Sequence, residues 1–230
     1  MILKCNMKQS LARINSGFTL VELLIVIALL GVIATIVIAA INPIEQANRA
    51  ADAGKKADAS QLISAIERYY ATHNQFPWQA ASCSGNGGSF CNPLTGADAA
   101  VTWLSADDPS IGLCGGAGAA CKTTANQGEL ISSLELQTQF LSKSWIGATS
   151  IDAKLLIGKG ASASDAVFAC WVPKSNSNRQ NLINSVGTNA NKEVDTTQGF
   201  QASGVPTAGT CSTLTAPGWG TGACSECVPE

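Results

Sequence analysis

The sequence predicts an α+β chain in which one long N-terminal helix carries a small sheet and disulfide-stabilised loops. Three observations point there. Residues Phe18 to Ile41 form an apolar run of 24 residues with a single charge. Residues 42–75 then keep apolar side chains near helical spacing, and short β-branched and aromatic runs appear only later. Finally, nine cysteines fall in 230 residues, eight of them after residue 80, many for a reducing compartment. The length suits one globular unit plus an appendage rather than two large domains. The organisation expected is a basic leader (1–17), an apolar helix (18–41), its amphipathic continuation (42–75) and a cysteine-rich globular head (76–230).

As a helix, 24 residues rise roughly 36 Å, enough to cross a bilayer. The segment before it, MILKCNMKQSLARINSG, holds Lys4, Lys8 and Arg13 and no acid. The positive-inside bias therefore puts residues 1–17 in the cytoplasm and everything after Ile41 outside. A secretory signal has an apolar core of about 7 to 15 residues and a small-residue cut site, so this longer run reads as a retained anchor. Its single-pass topology in the inner membrane places the eight late cysteines on the oxidising side.

A plain signal anchor gives no reason for Glu22. A carboxylate inside an apolar helix costs about 2.5 to 3.5 kcal/mol on insertion scales, so a tolerated one has a partner. Lysine and arginine are absent from Phe18 to Asn48. Cleavage before Phe18 would create the missing cation as a new α-amino group four residues from Glu22. Gly31 and Thr35 lie four apart on one face, a spacing that lets membrane helices approach closely.

Gly17-Phe18-Thr19-Leu20-Val21-Glu22, behind a basic leader and ahead of a long apolar helix, resembles the type IV prepilin signature shared with type II secretion pseudopilins. The resemblance implies cleavage between Gly17 and Phe18 by a prepilin peptidase and N-methylation of Phe18. It implies a salt bridge from Glu22 to the Phe18 amine of a neighbouring subunit. The product would be a homo-oligomeric filament built by pilus or secretion machinery, held in membrane lipid before assembly and extracellular after it. Tyr69-Tyr70 followed by Phe76-Pro77 also resembles the helix exit of pilins and pseudopilins, so the likeness covers roughly the first 78 residues. The head sheet of that family is antiparallel, and the same is expected here.

After Ile41, Asn42-Pro43 interrupts the helix because proline lacks the amide donor and crowds the preceding turn. The continuation places Ile44, Ala47, Ala51, Ala59, Leu62, Ile63, Ile66, Tyr69 and Tyr70 on its apolar face. Glu45, Arg49, Asp52, Lys55, Lys56, Asp58, Glu67 and Arg68 read as a mixed-sign, solvated face. The helix should end near Asn74, where asparagine can take the left-handed cap before Pro77.

Residues 79–128 have a loop-like Gly, Ala, Ser and Asn composition pinned by cysteines. Glu129 to Trp145 predicts a short helix with Leu130, Leu134, Leu141 and Trp145 on one face. Ala166 to Val172 predicts a buried strand holding Cys170, with further strands near Ile151–Ile157 and Val194–Gln201. The disulfide candidates are Cys83, Cys91, Cys114, Cys121, Cys170, Cys211, Cys224 and Cys227, with the pairing open. Removing the leader also removes Cys5 and leaves an even count.

Enzymatic readings find little support. His73 is the lone histidine, beside a helix end, which argues against a catalytic triad. Cys224-Ser225-Glu226-Cys227 lacks the following helix of a thioredoxin-like pair and a second close pair for zinc. Asp107, Asp108, Asp165 and Asp195 have no diagnostic spacing, which leaves a calcium site open, and no cofactor or metal is assigned. Without its leader the chain has 11 basic against 16 acidic residues, which argues against nucleic acid as a partner. The expected function is a structural filament subunit, with a pseudopilin or an adhesive minor pilin as alternatives. Trp78, Trp103 and Trp219 are the aromatics an adhesive surface would use, although large aromatics belong more often to cores.

Overall fold

A computed structural model describes residues 17–79, 101–115, 121–122, 127–160, 164–185, 193–196, 218–221 and 224–229. The chain divides into two compact units, residues 1–43 and residues 44–230. The first contains helix α1, Leu20–Ala40, in which leucine, isoleucine, valine and alanine leave no polar stripe. It stops where Ile41 turns to an extended backbone just before Pro43.

Helix α2, Pro43–His73, lies in the second unit from Ile44 onward. It ends as expected, at Asn74 with φ 54°. The unit's five-stranded antiparallel sheet has the order β1-β2-β3-β5-β4. Its strands are β1 Val101–Ser105, β2 Leu156–Lys159, β3 Val167–Trp171, β4 Glu193–Val194 and β5 Ser225–Val228. Short helices α3 Glu129–Ser132, α4 Asn176–Asn184 and α5 Gly218–Thr221 connect them.

The α+β class and the antiparallel sheet are as the sequence led us to expect. Strand β3 is buried along its whole length because both of its faces are covered. Val167, Ala169 and Trp171 join Ala59, Leu62, Ile63 and Ile66 of α2 in the main core. Phe168 and Cys170 point the other way, into a second cluster with Val194 and Cys227. That two-sided burial explains why the strand reads as an unbroken apolar run.

Three expectations need correction, and one strand was not foreseen. The stretch 79–128 is not all loop. Its Val-Thr-Trp-Leu-Ser run forms edge strand β1, with an irregular register where Trp103 has φ 22°. The single helix expected from Glu129 to Trp145 is broken: α3 ends at Ser133, and a 3₁₀ turn, Thr138–Ser142, follows. Leu130, Leu141 and Trp145 are buried as expected, but Leu134 takes φ 63° and is 88% exposed. The C-terminal tail is structural, since β5 is entirely buried and lies between β3 and β4. The strands expected near Ile151–Ile157 and Val194–Gln201 are observed as β2 and β4, each overlapping its predicted range only in part, and residues 197–201 of the latter range lie outside the described residues.

Candidate functional site

The start of α1 is built as a capping box. Thr19 adopts an extended N-cap conformation and its hydroxyl accepts the Glu22 N–H at 3.2 Å. In return Glu22 Oε2 accepts the Thr19 N–H at 3.0 Å and the Thr19 hydroxyl at 2.9 Å. Two otherwise orphaned helix-end donors are thus satisfied. Both bonds to the carboxylate fall on one oxygen, and Oε1 keeps its lone pairs open among the described residues. The Thr-x-x-Glu spacing that announces this box is legible in the sequence, and it gives the Glu22 carboxylate backbone and hydroxyl donors in addition to any cation.

Phe18 beside it is 81% exposed, and so are the flanks of α1 all the way round, from Leu20 at 81% to Ile38 at 69%. Leu20–Ile38 is long and apolar enough to cross a membrane. Within this chain Gly31 meets nothing, since a Cβ added there has no atom within 4 Å. Thr35 returns its hydroxyl to the Val32 carbonyl at 2.7 Å, which satisfies it inside the helix.

The polar face of α2 is a docking surface, contrary to the solvated face expected. Asp52, 1% exposed, accepts the Lys174 and Ser175 N–H groups at 2.8 and 2.9 Å and the Asn178 side chain at 3.1 Å. Glu45, two turns earlier, accepts the Asn176 and Ser177 N–H groups, both at 3.0 Å. Together they satisfy the N-terminus of α4, where the helix dipole favours negative charge. These backbone donors hold the Glu45 carboxyl below its usual range.

Further along, Lys55 donates to the Asp152 carbonyl at 2.8 Å. Burial, with Lys174 nearby, pulls its ammonium pKa down to about 8. Asp58 accepts the Trp145 indole N–H at 3.0 Å and pairs with Lys143 at 2.6 Å. Arg68 pairs with Glu135 at 3.0 Å and donates to its carbonyl at 2.7 Å. Residues 45, 52, 55 and 59 therefore share the inward face, while Ile44, Ala47 and Ala51, expected inside, are exposed. Composition could not foresee this inversion, because charged residues go inside only where specific partners await them.

His73 closes the helix structurally. Its ring stacks on Tyr69 at 4.1 Å, and its Nδ1 lies 2.8 Å from the Thr72 hydroxyl. Cys170 pairs with Cys227 directly across β3 and β5, and Cys114 pairs with Cys121. Cys224 is likewise disulfide-bonded, so Cys224 and Cys227 are not partners of one another. Cys83, Cys91 and Cys211 lie outside the described residues, as does the leader up to Ser16.

Trp78 and Trp219 are buried, at 1% and 4% exposure, which removes them from any adhesive surface. Trp103 is partly buried against Phe168 and Cys170. Asp107 is a loop clamp, accepting the Ser105 hydroxyl and the Gly147 N–H, and Asp108 caps the next turn. No cluster of three metal-type ligands occurs among the described residues.

A membrane-length apolar helix with a lone acid in its capped first turn, ahead of an α+β unit, fits a class of proteins anchored by an N-terminal helix. Comparison with known proteins narrows it: the family model for the prokaryotic N-terminal methylation motif, the prepilin-type motif, matches residues 12–38. That motif supports, in general terms, a type IV pilin-like or pseudopilin protein. It implies processing by prepilin peptidase and assembly into filaments, and proteins that carry it are structural subunits. The apolar helix and the motif both fit membrane anchoring. No curated protein and no solved structure matches the chain.

Proposed function

We propose that this chain is the structural subunit of a type IV pilus or pilus-like filament. Residues 1–17 are the leader, cut between Gly17 and Phe18, and Phe18 is then N-methylated. Residues 18–41 hold the subunit in the inner membrane with residues 76–230 outside, and polymerisation through this helix carries it into an extracellular filament. Glu22 pairs with the Phe18 amine of a neighbouring copy, neutralising both charges in the apolar filament core. The observation that carries this reading is Glu22 itself. It is the single charge in an apolar helix exposed on all sides, four residues from the expected cut, with one carboxylate oxygen uncommitted.

The test is intact-mass and N-terminal peptide mass spectrometry of the protein from its own membrane, for the parent and for Glu22→Ala. The parent should begin at methylated Phe18. Glu22→Ala should be processed in the same way yet be missing from sheared filaments. An intact leader on the membrane protein would sink the filament reading and leave a plain signal anchor.

A further inference from the structure

The surface beside α3 carries a groove that neither the anchor nor the sheet uses. Ile131, Leu134, Leu136, Gln137 and Gln139 line one hollow of about 420 Å³. Lys122, Leu141 and Ser142 line a second of about 270 Å³. Gln127 and Thr138 line both, so the two hollows form one groove. Small-ligand sites run from about 300 to 1,000 Å³, which puts this groove within their range.

Three observations give the groove a chemistry. Its polar side chains are uncommitted: among the described residues the carboxamides of Gln127, Gln137 and Gln139, the Thr138 hydroxyl and the Lys122 amine make no hydrogen bond or ion pair within the chain. A carboxamide sets donors and an acceptor side by side, the arrangement that vicinal hydroxyls answer.

The charge at the groove has one sign, in a chain with 16 acids against 14 bases. Lys122 is the one charged residue among those that line it. The neighbouring acids are held by α2, where Glu129 accepts the Tyr69 hydroxyl at 3.2 Å and Glu135 pairs with Arg68 at 3.0 Å. A second nearby cation, Lys143, is taken by Asp58. One open cation without a competing carboxylate favours a singly placed anion.

The lining is also built rather than incidental. Leu134 takes φ 63°, and strain of this kind gathers at ligand clamps. Gln127 pairs with Cys114 in a short bridge, and the Cys114–Cys121 bond holds the residue just before Lys122. A Cβ added at Gly128 would strike the Gly112 carbonyl oxygen, so the backbone behind Gln127 is packed tight. Such a surface loses little freedom when a ligand arrives.

We propose that this groove binds a saccharide that carries a carboxylate. Lys122 receives the carboxylate, Gln127, Gln137 and Gln139 take ring hydroxyls, and Leu134 and Leu141 meet the apolar C–H face of the rings. An extended acidic peptide has the same charge, but it draws its main-chain hydrogen bonds from an exposed sheet edge. The groove lies instead against α3 and the 3₁₀ turn Thr138–Ser142. The site belongs wholly to residues 44–230 and is independent of assembly through α1.

The experiment titrates the full chain, in a detergent without a sugar headgroup, with two acidic probes: the trimers of galacturonic and of mannuronic acid. Saturation-transfer NMR of the sugar reads binding. The methyl ester of each trimer keeps the rings and hydroxyls without the charge, and triglutamate keeps the charge without the rings. At least one acid trimer should bind, and its ester should bind about threefold more weakly, the change expected on losing one exposed ion pair. Lys122→Gln should weaken the acid trimer by the same factor and leave the ester unchanged. Gln137→Ala/Gln139→Ala, at two exposed positions, should weaken acid and ester alike by about tenfold, as two neutral hydrogen bonds imply. Triglutamate should not compete. Absence of saturation transfer to both acid trimers, competition by triglutamate at equal concentration, or an affinity unchanged in either variant would overturn the site.

Discussion

Replacing Asp52 with alanine tests whether charged groups, rather than apolar burial alone, fasten the head to α2. The carboxylate is 1% exposed and accepts two backbone N–H groups, at 2.8 and 2.9 Å, and one side-chain amide at 3.1 Å. Each hydrogen bond to a charged group contributes about 1.5 to 3 kcal/mol net, and orphaned buried donors are costlier than the mean. Glu45 still holds Asn176 and Ser177, and the Ser175 hydroxyl still accepts the Asn178 N–H at 3.2 Å, so α4 keeps part of its cap. The Asn178 amide can turn to solvent, so the low end of the range for the two backbone donors, about 1.5 kcal/mol each, gives about 3 kcal/mol for Asp52→Ala. Asp52→Asn, which keeps an oxygen acceptor without the charge, should cost about half as much. Urea unfolding of the full chain in detergent, followed through the buried Trp145 and Trp171, measures both, with exposed Glu67→Ala as the control at less than about 0.5 kcal/mol. If Asp52→Ala matches the control, the carboxylate contacts are bystanders and the docking is apolar.

Lys55 predicts a pH dependence of the same sign as acid unfolding, displaced to alkaline pH. Its folded pKa of about 8 lies below the usual 10.5, so the unfolded chain binds more protons between these values and stability rises with pH there. The contribution approaches about 3 kcal/mol at most. It should be read between pH 8 and 9.5, because Tyr69, raised by burial and Glu129, opposes it at higher pH. Lys55→Met should flatten that rise, and an unchanged slope would rule Lys55 out as its source. The Cys170–Cys227 bond closes a loop with a sequence separation of 57, which predicts a loss of about 4 kcal/mol in the Cys170→Ala/Cys227→Ala pair. Thermal unfolding at fixed pH measures it, and a loss below about 1 kcal/mol would show that β5 stays in the sheet without its tether.

The anchor was legible because its signal is one of length, composition and one anomalous charge, none of which depends on distant contacts. Strand β3 was legible for a related reason: burial on both faces leaves an unbroken apolar run. Strands β1 and β5 were not. Val101–Ser105 is short and set among Ala and Asp residues that carry no strand signal, and Ser225–Val228 contains a serine and a glutamate that a pattern of hydrophobicity assigns to solvent. Glu226 is buried in a strand whose place is set by pairing with β3 and β4, which no local window contains. The inward turn of Glu45, Asp52 and Lys55 was hidden likewise, since their partners lie about 100 to 130 residues away.

The capping box changes how the proposed assembly step should be understood. Glu22 is not a bare charge awaiting a cation. Its Oε2 is engaged by the Thr19 amide and hydroxyl, and these hydrogen bonds fix the direction of the carboxylate. A cut between Gly17 and Phe18 leaves the Thr19 amide untouched, so the box survives processing while a positive charge appears next to it. Processing then changes the charge of the helix start without rebuilding its geometry, and Oε1 remains an acceptor already oriented by its twin. Such preorganisation lowers the entropy that a pairing amine must overcome. It follows that Thr19→Val, which keeps the shape but loses the hydroxyl, should leave cleavage intact and weaken assembly less than Glu22→Ala. Equal loss of sheared filaments in the two variants would mean that the box, rather than the charge, is what assembly requires.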